Sequence, residues 1–237
     1  QRDRGPHPAR AAVVCRFAIP AVQWSESLTA HTPAKITLPD GVRCAIALSY
    51  DTDMALGYGP DGVCHGSTAP FLAEYMLRLC DTAEQFGVRL QFFQIGNGLD
   101  ADQDVAYLEE ILARGHEVDS HTYSHVPLIT EDLELLDEEL SRTNRLLEER
   151  LGHTSTVLRG PGGYADGLRG RAENQRTILE NGFRWVSGEY SDRLRSGDYD
   201  AAVANPSADV PYAYDTGLIE LPIQSWTDRS FFDTLQC

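Results

Sequence analysis

Two short segments of this sequence carry side chains of the types that activate water or bind divalent metals. Asp51 and Asp53 lie two residues apart after an apolar run, and His121 and His125 lie four residues apart. Residues i and i+2 of an extended backbone point to the same side, which brings the two carboxylates together. We expect the two histidines on one helical turn, where both rings project from one side. One carboxylate and two imidazoles leave coordination positions open, which is typical of sites that activate water.

Each segment also has a simpler interpretation. Aspartates are common turn residues, so Asp51 and Asp53 could cap a loop, and a chance pair of histidines at this spacing is most often structural. The two segments become more informative together, because both follow predicted strands and would meet at one edge of a sheet.

A third segment, Arg159 to Tyr164, reads RGPGGY and also follows a predicted strand. An arginine at that position can hold a carboxylate by two hydrogen bonds, although its stem could also simply pack. We assign Tyr164 and Trp226 to substrate binding. The tryptophan would form one wall of a groove, with a place in the core as the alternative.

Repeated units position these residues. Four predicted helices end at glycines and are each followed by a run typical of a strand, the pattern of βα units in parallel sheets or barrels. Active sites of such folds lie at the carboxyl ends of the strands. The strands are predicted at 43–50, 88–95, 116–120, 156–159, 183–187 and 218–223. The helices are predicted at 67–86 (capped by Thr68), 102–114, 130–151 and 172–181. The irregular stretch 189–217 has the length of a lid or binding loop.

Composition excludes several classes of protein. The 237 residues include 20 basic and 36 acidic side chains, a formal charge of 20 − 36 = −16. This charge repels nucleic acid and anionic membranes, so we expect a neutral or cationic ligand. Hydrophobic residues make up 42%, too many for a disordered chain, and no apolar run is long enough to span a bilayer.

The order of these motifs resembles that of the polysaccharide deacetylases (carbohydrate esterase family 4, the NodB-homology domain), over roughly residues 38–228. ALSYDTD is similar to the family's first motif, FFQIG to its second strand, HTYSH to its histidine motif and RGPGGY to its arginine motif. The spaced D-x-D form resembles the branch that includes peptidoglycan-deacetylase-like members and members that hydrolyse cyclic imides or allantoin.

The resemblance implies a distorted, incomplete (β/α)7-type barrel of parallel strands that hydrolyses amide bonds, usually the N-acetyl group of an amino sugar. Asp53, His121 and His125 would bind one divalent metal ion, zinc in the first instance and cobalt, nickel or iron as alternatives. Asp51 would be the general base, and Arg159 would orient it.

One feature departs from the family. Its late Leu-x-His motif is missing, because no histidine follows His153 in a chain that ends at Cys237. We expect an arm at 1–40 and a barrel domain at 41–237 that lacks its last strand and helix. That segment is either missing or supplied by a second chain or a second copy. The alternatives are a different catalytic acid or a protein without turnover.

Three functions follow from these patterns. The first is a metal-dependent deacetylase of a neutral N-acetylated glycan, and the second is a hydrolase of a small cyclic amide or ureide with the same site. The third is a carbohydrate-binding relative without catalysis. We favour a secreted or cell-envelope location, with the cytoplasm as the alternative.

Overall fold

The structure is a computed structural model that describes residue 40 and residues 45–53, 55–58, 64–190 and 211–223. Outside these ranges lie the predicted arm except for residue 40, most of the predicted loop at 189–217, and Trp226. The strands are β1 (Ser49–Asp51), β2 (Ala55–Tyr58), β3 (Cys64–Ser67), β4 (Gln91–Gln94), β5 (Glu117–Ser120), β6 (Val157–Tyr164), β7 (Trp185–Glu189), β8 (Tyr212–Ala213) and β9 (Ile219–Glu220). The helices are α1 (Leu72–Gln85), α2 (Ala106–Ala113), α3 (Leu133–Leu151) and α4 (Ala172–Glu180), with a 3-10 helix at Gly96–Leu99.

Seven strands form one sheet in the order β1-β4-β5-β6-β7-β9-β8. All neighbours pair in parallel except β8, which runs antiparallel to β9. The helices alternate with the parallel strands along the chain, so the predicted α/β class is confirmed. Within the described part of the chain, the edge strands β1 and β8 do not pair, and the sheet is not closed.

Glycines end the helices at the predicted places. Gly87, Gly115, Gly152 and Gly182 all have a positive φ, between 64° and 91°. This left-handed conformation is one that glycine adopts without a steric penalty from Cβ, which is why it stops a helix. Helix α3 begins at an Asp132 cap, whose carboxylate accepts a hydrogen bond from the Leu135 backbone N–H at 3.0 Å. The sequence therefore predicted where each of these four helices ends and is followed by the next strand.

Several predicted boundaries are wrong, among them the starts of α1 and β1. Helix α1 begins at Leu72 rather than at Ser67, because Ser67 belongs to β3. Its N-cap residue is Phe71, without a side-chain hydrogen bond, so the predicted Thr68 cap is wrong. Strand β1 covers only Ser49–Asp51; residues 45–48 have no regular structure, and the Ile46 side chain is 82% exposed. The hairpin of β2 and β3 and the short β8 were not predicted.

The core lies on the helical side of the sheet in two clusters. The first joins α1 and α2 to β4 and β5, and the second joins α3 and α4 to β6, β7 and the segment before β9. Their fully buried members include Met76, Leu108 and Phe92 in the first, and Leu140, Leu158 and Phe183 in the second. Of the helices that the structure describes, none is long and apolar enough to cross a membrane.

A buried carboxylate joins β7 to β9. Glu220 accepts hydrogen bonds from the backbone N–H groups of Gly188 at 2.7 Å and Glu189 at 2.9 Å, and from the Tyr214 hydroxyl at 2.6 Å. Burial raises the pKa of Glu220, and these hydrogen bonds offset that effect only in part. The folded protein therefore binds this proton more tightly than the unfolded chain does.

We expect stability to depend on this proton. A carboxyl group whose pKa is raised by folding stabilises the fold most in its protonated state, and this contribution is lost as the pH rises through the folded pKa. Glu220→Gln keeps a neutral group at all pH values. Urea unfolding of both proteins at about pH 8 and about pH 5 should show the difference in stability shifting in favour of the unchanged protein at the lower pH. An identical difference at both values would contradict the raised pKa.

Candidate metal centre

Three potential ligand side chains converge at the carboxyl ends of β1 and β5. One ligand atom from each of Asp53, His121 and His125 lies within 4.8 Å of the others. Asp53 lies between the two rings, with Oδ1 3.2 Å from His121 Nε2 and Oδ2 3.0 Å from His125 Nε2. Both histidines are buried, and the Asp53 side chain is 12% exposed. The structure thus brings together the three residues predicted as ligands.

The backbone between the two histidines is a loop, so the predicted helical turn is wrong. Thr122 and His125 have positive φ values of 59° and 69°, and each such non-glycine residue costs roughly 1–3 kcal/mol. Backbone hydrogen bonds tie the loop to the end of β4: His121 N–H donates to Gln94 at 3.0 Å, and Gly96 N–H donates to Thr122 at 2.9 Å. The neighbouring strand therefore helps to hold both rings in place.

The hydrogen bond on the far side of His121 fixes its tautomer. Its Nδ1 lies 3.0 Å from the backbone carbonyl oxygen of Arg159, which can only accept, so Nδ1 carries the hydrogen. In the neutral ring Nε2 then presents a lone pair to an oxygen of Asp53. Two acceptors approach this closely only when a cation, either a proton or a metal ion, lies between them. The donor set therefore fits a divalent metal, and a backbone carbonyl behind a histidine is a common feature of metal sites.

The pKa values reflect the same local charges. Burial alone would raise the pKa of Asp53, but the hydrogen bonds and charges of His121 and His125 outweigh burial and hold it well below its usual range. Burial alone would lower the pKa of His121, but the charge of Asp51 and the contact with Asp53 raise it overall. The site favours a positive charge beside Asp53.

Asp51 and Arg159 lie next to the three predicted metal ligands. Asp51 Oδ2 is 3.9 Å from His121 Nε2, and Asp51 Oδ1 is 3.7 Å from Arg159 Nε. The guanidinium donates to Ser49 Oγ at 2.6 Å and lies 4.6 Å from the ring centroid of Phe93. Arg159 therefore reaches from β6 to Ser49 of β1, across the positions of β4 and β5 in the sheet. The predicted neighbours meet, although at a distance longer than a hydrogen bond.

The two residues assigned to substrate binding have different outcomes. The Tyr164 side chain is buried in the core beside Leu168, and its hydroxyl accepts a hydrogen bond from the Leu128 backbone N–H at 2.8 Å. Burial raises the pKa of this hydroxyl. Its ring is thus occupied in packing, and a contact with substrate would have to come from its backbone. Trp226 lies outside the described residues, and its role stays a prediction.

Gly66 of the β2–β3 hairpin, which the sequence did not predict, packs directly on the predicted metal ligands. A Cβ at Gly66 would lie 3.0 Å from Asp53 Cβ, 3.2 Å from His125 Cβ and 2.7 Å from Ile95 Cδ1. The Asn97 side chain donates to the Gly66 carbonyl oxygen at 2.7 Å and holds the strand there. Strand β3 therefore covers one side of the site and can do so because residue 66 lacks a side chain.

Gly66→Ala should disturb the donors. The new methyl group would push on the Cβ atoms of Asp53 and His125, which can yield only by moving backbone, and such overpacking typically costs about 1–3 kcal/mol. We expect weaker zinc binding by titration calorimetry together with a lower melting temperature. Gly188→Ala is the matched control, because its Cβ would crowd the Tyr164 ring at 3.2 and 3.3 Å. Equal zinc affinity in the two variants would contradict the contact proposed for Gly66.

Two site residues escaped prediction from the sequence. Ser49 precedes the D-x-D segment by two residues, and the parity of the strand could have placed it on the face of Asp51. Glu139 lies under the histidine loop, where both of its carboxylate oxygens contact Ser124. The sequence feature that could have identified Glu139 is its position three residues after Leu136, which places it on the buried side of α3 rather than on the solvated side.

Comparisons with known proteins show which family this sequence and fold are similar to. The sequence profile of the family described as Polysaccharide deacetylase matches residues 45–178. A protein of Mycobacterium smegmatis assigned as a polysaccharide deacetylase is 26% identical, with a TM-score of 0.56 over 83% of this chain and 64% of its own. The Streptococcus pyogenes deacetylase PplD, solved with acetate, is 10% identical, with a TM-score of 0.50 over 82% of this chain and 71% of its own.

A CE4 family pseudoenzyme from Bacillus anthracis also matches, at 17% identity and a TM-score of 0.45 over 59% of this chain and 41% of its own. This chain thus spans less than two thirds of the length of the mycobacterial and Bacillus proteins. Among curated proteins, none matches the sequence. Because the family profile covers more than half of the 237 residues and includes Asp51, Asp53, both histidines and Arg159, the chain belongs to the polysaccharide deacetylase family.

Proposed function

We propose that this protein is a metal-dependent amide hydrolase that removes the acetyl group from an N-acetylated amino sugar of a glycan. The observation that carries the proposal is the convergence of Asp53, His121 and His125 within 4.8 Å, beside the second carboxylate of Asp51. Three protein ligands with open positions, next to a carboxylate that can act as a base, are typical of hydrolytic metal sites.

Each residue has a defined part in this reaction. Asp53, His121 and His125 would hold one divalent cation, and zinc, cobalt, nickel and iron are all compatible with two imidazoles and a carboxylate. When bound, the cation supplies Lewis-acid polarisation of the carbonyl and lowers the pKa of water. The side chain of Asp51 is 38% exposed, so both water and a substrate can reach it. We assign to Asp51 the removal of a proton from the attacking water.

The bonds and protons balance with the residues at hand. Oxygen of the water bonds to the acetyl carbon, and the carbon–nitrogen bond then breaks to give a free amine and acetic acid, which loses its proton to solvent and becomes acetate. The leaving nitrogen needs a proton, and among the described residues Asp51 is the group beside the donors that has just accepted one. Arg159, fixed by Ser49 and Phe93, would orient Asp51 toward the acetamide.

The charge of the protein supports a neutral substrate. With a formal charge of −16, the protein repels polyanions, whereas an uncharged N-acetylated glycan meets no such barrier. The product amine becomes cationic at neutral pH and is not repelled by the acidic surface.

The test is release of acetate from oligomers of N-acetylglucosamine by the protein after loading with zinc, cobalt, nickel or iron in turn. The proposal requires turnover that a chelator abolishes and that the same metal restores. Turnover that survives complete metal removal would refute the metal-dependent mechanism. Glycan binding without acetate release under any metal would favour the carbohydrate-binding alternative.

A second candidate keeps the site and changes the substrate to a small cyclic amide or ureide. The hairpin of β2 and β3 favours it, because Gly66 packs against Asp53 and His125 and restricts one side of the site. Ring opening of succinimide, hydantoin or allantoin, measured on the same metal-loaded sample, separates the candidates. Faster turnover of a cyclic amide than of the glycan oligomers would replace the first proposal.

A further inference from the structure

The histidine loop rests on a carboxylate that the proposed chemistry does not use. Glu139 lies in the second turn of α3, and its side chain is buried. One oxygen accepts the Ser124 backbone N–H at 2.7 Å, and the other accepts the Ser124 hydroxyl at 2.6 Å. Short hydrogen bonds to a carboxylate are about twice as strong as neutral ones. Both oxygens are therefore engaged by one residue of the loop.

The position of Ser124 makes this contact relevant to the metal centre. Ser124 immediately precedes His125, whose φ of 69° is in the left-handed region that a histidine rarely adopts. Glu139 fixes both the amide and the side chain of Ser124. Only two backbone torsions, ψ of Ser124 and φ of His125, then separate this fixed residue from the histidine. Among described atoms, Nδ1 of His125 has no hydrogen-bond partner, so the ring has no support of its own there.

The same face of α3 holds the rest of the loop. Arg142 lies with its guanidinium carbon 3.6 Å from the ring centroid of Tyr123, and the Tyr123 hydroxyl donates to Asp100 at 2.6 Å. Thr143 packs so closely on Gly96 that a Cβ there would lie 2.6 Å from its Oγ1. Helix α3 thus forms a base on which the loop is seated, and Glu139 is its contact nearest to His125 in sequence.

We propose that Glu139 is a positioning residue that holds His125 in its metal-binding conformation through Ser124. This inference rests on the proposed metal site and adds to it a residue outside the motifs. It predicts that loss of Glu139 weakens metal binding more than its effect on stability explains. Partners behind metal ligands typically account for 10–100-fold in metal affinity.

The experiment measures affinity for Co²⁺ by titration calorimetry, the visible absorption spectrum of the cobalt-loaded protein, and the melting temperature without metal. Glu139→Leu removes both contacts and should weaken Co²⁺ binding about 10–100-fold with a changed spectrum. Glu139→Gln should restore much of the affinity, because its carbonyl oxygen can accept the Ser124 N–H while its amide donates to the hydroxyl. Ser124→Ala should give an intermediate loss, since it removes one contact of the two.

Leu147→Ala is the matched control for stability. Leu147 is fully buried on the same helix, in the cluster with α1 and α2, and makes no contact with the histidine loop that the structure records. It should lower the melting temperature and leave Co²⁺ affinity unchanged. Equal affinity in Glu139→Leu and the unchanged protein, or an equal loss in Leu147→Ala, would overturn the inference. If Glu139→Leu does not fold, the same decision rests on Ser124→Ala against Leu147→Ala. Absence of Co²⁺ binding by the unchanged protein would instead refute the proposed metal site.

Discussion

His121→Ala is expected to remove the metal and, with it, all amide hydrolysis. Loss of the ring takes away one of the three proposed ligands and also breaks the contact of Nδ1 with the Arg159 carbonyl. Because partners behind a ligand already account for 10–100-fold in affinity, loss of the ligand itself should weaken binding by more than about 100-fold. Metal content by plasma mass spectrometry after loading should fall from about one ion per chain to a trace.

His116→Ala is the matched control for this variant. His116 is also a buried histidine, but its Nδ1 accepts the Leu90 backbone N–H at 3.0 Å and its Nε2 lies 3.3 Å from Glu84. Its role is therefore structural, at the opposite end of β5 from His121. The variant should be less stable and keep its metal. A full metal complement in His121→Ala, or an equal loss in His116→Ala, would contradict the assignment of the centre.

The βα units, and the edge of the sheet that carries the candidate site, could be predicted because both depend on short sequence patterns. Gly87, Gly115, Gly152 and Gly182 each end a helix with a backbone that few other residues tolerate. In a parallel sheet the carboxyl ends of strands meet at one edge, so residues 70 positions apart in sequence, such as Asp51 and His121, were expected to be neighbours. Neither step depends on details of packing.

The details of the site depended on tertiary contacts that spacing does not encode. A separation of four residues suits a helical turn, but hydrogen bonds to β4 and to Glu139 hold His121–His125 in a loop with two positive φ values. The sequence did not indicate the hairpin. Gly66 carries no side chain, and the reason why a glycine is needed there is visible only in the structure, where Asp53 and His125 pack against it. In the sequence, Glu139 looked like one of the several solvent-exposed acidic residues of α3, so its contact with Ser124 was not predicted.

Strand β8 and the tyrosine cluster show the same limit. Tyr212 and Tyr214 lie in a stretch without a clear period, yet their rings pack 5.2 Å apart and their hydroxyls contact Glu189 and Glu220. Paired tyrosines near acidic residues are not distinctive in a sequence. The partners of each hydroxyl are set by strands that meet only after folding.

Asp51→Asn is expected to separate chemistry from metal binding. The amide keeps the shape of the carboxylate beside Arg159 but cannot accept a proton from water, and general base catalysis contributes about 10²–10⁴-fold. Turnover should fall by that factor, or about 3–5 kcal/mol of transition-state stabilisation, with metal content unchanged.

Asp53→Asn is the decisive comparison, because the two aspartates differ by two positions and receive the same chemical change. Asp53 contacts both histidines at 3.0 and 3.2 Å, whereas Asp51 comes no closer than 3.9 Å to His121. The Asp53 variant should therefore lose metal and turnover together, and the Asp51 variant turnover alone. Full activity in Asp51→Asn would assign the base to another group. Loss of metal in both would mean that Asp51 is itself a ligand, and the proton would then need a different acceptor.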